Sequence, residues 1–98
     1  MHDAGLIQMH LNKIRQVSVK AATTEDDFTA EIDQAIATAI NHISGVKTSD
    51  PIENLQAFAA QLNIFDQIET PSLPRQQEAM KHASASFKKQ IESRQTSA

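Results

Sequence analysis

Four histidines, a run of acids and several serines are the side chains of this 98-residue sequence whose types could do chemistry. Histidine ligates metal ions and moves protons near neutral pH. His2, His10, His42 and His82 are far apart, however, and no pair has the i, i+4 spacing that sets two imidazoles on one helix face. His42 reads as a boundary residue beside an apolar stripe. Glu25-Asp26-Asp27 invites a cation, yet it lacks the alternating oxygen ligands and central glycine of a calcium loop. At a helix start the same acids compensate the positive end of the macrodipole. Glu31 and Asp33 are two residues apart, so a helix points them in different directions and denies them an acid–base partnership.

Nucleophiles fare no better. Ser18, Ser44, Ser49, Ser84 and Ser86 have neither a nucleophile elbow nor a histidine placed locally to activate them. Gly5 and Gly45 are the only glycines, which excludes a glycine-rich phosphate loop. The absence of cysteine removes disulfides, a thiolate zinc cluster and thiol catalysis. These readings predict a protein that is not an enzyme and holds neither metal nor cofactor. Lys88, Lys89 and Arg94 form a modest basic group that solvates an exposed face and complements a helix C-terminus, with docking to a partner as the sharper alternative. No aromatic residues interleave with these bases to stack nucleobases.

The elements that must position these residues are helical. Apolar residues keep helical spacing throughout, and nothing reads as strand. The spacing predicts a single all-α domain over residues 1–98, a small antiparallel bundle of about four helices at roughly 4–19, 25–44, 51–68 and 74–93. Helix 1 carries Ile7, Leu11 and Ile14, with Leu6 and Val17 at the stripe's edges, and Lys20–Thr23 is expected to be a link. Helix 2 is expected to start after an N-cap at Thr24 with Asp27 as a capping-box partner, and to end at a left-handed Gly45. Phe28, Ile32, Ile36, Ile40 and Ile43 make its core face.

Helix 3 has the clearest start: Asp50 caps, Pro51 takes the first turn and Glu53 completes the box. Leu55, Phe58, Leu62 and Phe65 form its stripe. Pro71 and Pro74 flank a break, Glu69 to Leu73, after which Met80 and Phe87, with Ala83 and Ile91, line the last helix. That helix should be the most exposed, and Gln95 to Ala98 should fray or order only against a partner. Met1 to Gly5 has no basic n-region and no run reaches the roughly 20 apolar residues of a membrane span. The expectation is a soluble, cytoplasmic chain.

Charge is unevenly spread within the net −3. Residues 21–70 carry nine acids against Lys47, whereas residues 1–20 and 71–98 are net basic. Solvated helix faces are the bland explanation. The sharper one is a module whose acidic middle meets the basic ends of an identical neighbour, since head-to-tail contacts need two different, complementary patches and can close into rings.

Laid end to end, this arrangement resembles the head–tail connector (adaptor) proteins of tailed bacteriophages. The likeness covers roughly residues 6–92: a first helix, the acidic Thr24-Glu25-Asp26-Asp27, the long segment Ile32 to Ile43, the Pro-started segment Asp50 to Phe65, a break, and a basic last helix. The chain departs from that pattern in lacking a Tyr or Trp near Phe65 and in having Val46-Lys47-Thr48 after helix 2. The resemblance implies a structural virion protein of the neck, assembled in the host cytoplasm. Its copies would form a ring between the portal protein and a tail-side stopper or terminator protein. Docking to the portal would fall to the last helix, with Lys88, Lys89 and Arg94. DNA would pass along an acidic lumen without sequence-specific binding. Bacteriocin immunity proteins are a second family of small, cysteine-free four-helix bundles, and a secretion chaperone or other helical binding module is a third reading.

Overall fold

The computed structural model describes residues 3–25, 27–47, 49–67 and 74–96. Four helices follow one another: α1 (Ala4–Thr23), α2 (Thr29–Ser44), α3 (Pro51–Gln67) and α4 (Pro74–Thr96). Every helix packs on each of the other three, so the chain is a small all-α bundle. Its thinnest dimension is 18 Å, the thickness of about two layers of packed helix.

Local chemistry fixes most of the ends. Asp3 caps α1 by accepting a hydrogen bond from the Leu6 amide at 3.1 Å. Asp50 accepts from the Ile52 amide at 2.9 Å and the Glu53 amide at 3.4 Å, which confirms it as the cap of α3. Gly45 terminates α2, but with φ −91° rather than in the left-handed region expected of it. Its amide donates to the carbonyls of Asn41 and His42, and a Cβ there would sit 3.0 Å from the Asn41 oxygen. Close backbone approach, not positive φ, favours glycine at this turn.

The α1–α2 junction differs from expectation. Lys20–Thr23 is not a link; it is the last turn of α1. Ala21 is buried there, and Ala21 and Ala22 are strong helix formers. Thr24 is not the N-cap of α2, which starts five residues later; its hydroxyl donates backwards to the Lys20 carbonyl at 3.2 Å. α2 begins at Thr29 behind Phe28, which offers no side-chain cap. Asp27 serves instead, accepting from the Thr29 amide at 2.9 Å. That bond, together with one from the Thr29 hydroxyl, holds the Asp27 carboxyl below its ordinary value.

Ile7, Leu11, Ile14, Ile32, Ile36, Ile40, Ile43, Phe58, Leu62 and Phe87 are buried in one core, with Phe28 and Leu55 packed half-buried against it. Val17 belongs to the core rather than to an edge, as do Ala21, Ala39, Ala79 and Ala83. Met80 is half-buried. On α4 the small residues Ala79 and Ala83 take the most buried positions, which lets that helix approach its neighbours closely. Phe58 meets Phe87 at a 5.4 Å centroid distance, joining α3 to α4. The side chain of Phe65 and the break at 69–73 lie outside the described residues.

α4 is not the peripheral helix. It buries Ala79, Ala83, Ser84, Ser86 and Phe87, whereas α3 buries Asn54, Phe58 and Leu62. It also continues through Gln95 to Thr96, beyond the point where fraying is expected. Among the described residues no helix is long and apolar enough to cross a membrane.

Candidate functional site

The fold unites histidines that the sequence keeps apart. His10 on α1 and His42 in the last turn of α2 meet with Nε2 and Nδ1 3.0 Å apart, their rings edge to face at 87°. The two nitrogens share a proton when both rings are neutral. Burial, and then the neighbouring His42, hold the His10 imidazole below its ordinary proton affinity. Beside the pair runs a groove of about 460 Å³ between α1 and α2, lined by Met9, His10, Lys13, Val17, Glu31, Gln34, Ala35 and Thr38. Two imidazoles are half the donor set of a structural zinc site. Among the described residues no cluster of three histidine or carboxylate side chains is assembled to complete one.

A second polar cluster joins α2 to α4. His82 Nε2 lies 2.9 Å from Asp33 Oδ1. The Gln90 amide donates to the Ser86 hydroxyl at 2.9 Å and to the Asp33 carbonyl at 3.1 Å. A hydrogen bond from Ser86, and then the contact with His82, hold the Asp33 carboxyl below its ordinary value, with Lys89 adding to the effect. Serine, histidine and aspartate are thus together, but not in the order of a hydrolytic triad. In a hydrolytic triad the imidazole stands between hydroxyl and carboxylate and takes the serine proton. Here the carboxylate stands between them, so His82 is not placed to take the Ser86 proton.

Ser84 is buried on α4, and three other serines make structural bonds. Ser18 and Ser44 donate to the Arg15 and Ile40 carbonyls of their own helices. Ser49 accepts from the Asn54 side chain. None of these bonds reaches an imidazole.

Two further side chains tie segments across the bundle. Asn54 is fully buried at the start of α3; its Oδ1 accepts from the Asp3 amide at 2.7 Å. Its Nδ2 donates to Ser49 Oγ at 2.8 Å and to the Ile43 carbonyl at 3.4 Å. Arg75, at the start of α4, donates from Nε to the Ala21 carbonyl at 2.9 Å and lies 5.4 Å over the Phe28 ring. No local pattern announces either residue, because all of these partners except Ser49 are more than ten positions away.

Lys88, Lys89 and Arg94 are exposed on α4. At about 100° per residue, Lys89 stands about 100° from Lys88 and Arg94 about 140° beyond Lys89. They ring the helix rather than form one patch. Lys89 borders a groove of about 370 Å³ with Asp33, His82, Ser86 and Gln90. α1 carries three bases and no acid, and α4 five bases against two acids, whereas α2 and α3 carry two acids each and no Lys or Arg. The bundle is built of two basic and two acidic helices.

Comparison of the chain with protein-family models, with curated proteins and with solved structures finds no match.

Proposed function

We propose that this chain is a non-enzymatic assembly module, and that it serves as an adaptor subunit of a phage neck, in a ring between portal and tail. The observation that carries the reading is the division of charge by helix, net positive on α1 and α4 and net negative on α2 and α3. A subunit with two unlike, complementary surfaces can bind its own kind head to tail, and such contacts close into rings. The occupied serines and the misordered Asp33 cluster support a binding role over a catalytic one.

In this reading α4 docks on the portal through Lys88, Lys89 and Arg94, which surround the helix and so present positive charge in several directions. The acids of α2 face the lumen and keep DNA phosphates from sticking. The partners are a portal protein and a tail-side stopper or terminator.

Sequencing the DNA on both sides of the reading frame is the direct test. Flanking frames for a portal, a capsid protein and a tail tube are the expected result. A neighbouring short frame with a double-glycine leader would replace the adaptor reading by bacteriocin immunity.

A further inference from the structure

Of the described histidines, His10 is the buried one, at 7% exposed. Its Nε2 is taken up by His42 Nδ1 at 3.0 Å. Its other nitrogen, Nδ1, has no hydrogen-bond partner among the described residues. Buried polar atoms are nearly always paired, so an imidazole nitrogen left single in the interior calls for an explanation. The same ring forms part of the wall of the groove between α1 and α2. A molecule lying in that groove is in position to supply the bond that the protein does not.

The charge of the groove says what kind of molecule. Lys13 also lines it and has no ionic partner among the described residues. Glu31 is the one acid in the wall, and Lys20 engages it at 3.3 Å. The charge left over is therefore positive and sits on Lys13. His10 and Lys13 are three positions apart on α1, where helical neighbours lie about 5–6 Å from each other. An imidazole N–H and an ammonium at that spacing can converge on one carboxylate.

The rest of the wall is apolar or neutral, with Met9 and Val17 on α1 and Ala35 on α2. Met9 is 51% exposed, a large apolar side chain standing in solvent at the groove's edge. From Met9 to Val17 the α1 wall is about 12 Å long. The volume of about 460 Å³ falls within the range of about 300–1,000 Å³ typical of small-molecule sites.

We propose that the groove between α1 and α2 binds a small organic acid, a carboxylate on a short apolar body. Lys13 and the Nδ1–H of His10 hold the carboxylate, and Met9, Val17 and Ala35 cover the body. This arrangement selects one tautomer of the histidine pair. His42 Nδ1 donates to His10 Nε2, which leaves the proton of His10 on Nδ1 for the ligand. His42 is thus a positioning residue for His10.

Octanoate is the probe, titrated near neutral pH into the isotope-labelled chain and followed by NMR. Saturable shifts confined to the α1 and α2 residues around the groove are expected. The His10 Nδ1 resonance is expected to move to the position of a protonated nitrogen. Lys13 is exposed, so Lys13→Gln leaves the core intact, which circular dichroism checks. That variant is expected to bind octanoate about tenfold more weakly, through loss of a charge-assisted hydrogen bond. Octanol, the same body without the carboxylate, is expected to bind the parent chain about tenfold more weakly as well.

Octanol or octylamine binding as tightly as octanoate overturns the proposal, because the groove then has no preference for an anion. Unchanged affinity in folded Lys13→Gln, or octanoate binding that leaves the His10 nitrogens unmoved, overturns it too, as does the lack of any saturable shift in the groove. The site stands apart from the adaptor reading. A chain that joins a portal ring but binds no octanoate refutes the site alone, and one that binds octanoate but joins no ring refutes the adaptor reading alone.

Discussion

Asn54 is the residue whose removal should cost most for its size. It is fully buried, and its amide joins three segments: the start of α1 at Asp3, the end of α2 at Ile43, and the turn into α3 at Ser49. Asn54→Ala deletes three hydrogen bonds at 2.7, 2.8 and 3.4 Å and leaves their partners facing a void. A net bond is worth about 0.5–1.5 kcal/mol, and an unsatisfied buried partner costs about 1–3 kcal/mol. Weighting the long bond least, the loss is about 2–4 kcal/mol. For a chain of this size that corresponds to a fall in Tm of about 10–25 °C. Thermal and urea unfolding followed by circular dichroism measure it, with Asn63→Ala on the exposed face of α3 as a control expected within about 0.5 kcal/mol of the parent. If Asn54→Ala also unfolds within about 0.5 kcal/mol of the parent, the three-way tie is not holding the bundle. Asn54→Asp refines the test, because it keeps the acceptor for Asp3 but loses the donors. Burial and the Ile43 carbonyl raise the folded pKa of the new acid, so its deficit should grow as pH rises above the unfolded value of about 3.9.

Three other perturbations follow from the same contacts. The Asp33 carboxyl is depressed in the folded state, so its contribution is present above the ordinary value of 3.8 and is lost as pH falls through the lower folded value; Asp33→Asn should flatten the acid limb of stability against pH, measured by urea midpoints. His10 is a depressed base, more readily protonated in the unfolded chain, so its contribution is full above 6.5 and is lost as pH falls through the folded value. His10→Gln should therefore weaken the decline in urea midpoint between about pH 7.5 and 5. Arg75→Ala removes the bond to the Ala21 carbonyl and the stacking on Phe28, and should lower stability by about 1–2 kcal/mol in chemical denaturation.

Where the chemistry was local, the sequence was readable. Asp50-Pro51 starts α3 because a cap and a residue without an N–H need only their immediate neighbours. The isoleucines of α2 fall on the core because their spacing repeats with the helix. The α1–α2 boundary was misread for an instructive reason. Thr24 has the right type for a cap, yet whether its hydroxyl bonds forwards or backwards depends on where α1 ends. That end is set by burial of Ala21 and by Arg75, which lies 54 residues away. The histidine contacts were illegible for a similar reason: His10 meets His42 and His82 meets Asp33 only after helices pack. Asn54 looks like any polar residue in a first turn, and only the fold shows it sealed inside.

The measurement that bears most directly on the adaptor reading is sedimentation of the purified chain with a phage portal ring. The account predicts that the chain co-sediments with the ring in a fixed ratio. It also predicts that Lys88→Glu with Lys89→Glu abolishes this while leaving the helical circular dichroism intact. A folded chain that never joins the ring, at any concentration or salt, would contradict the account.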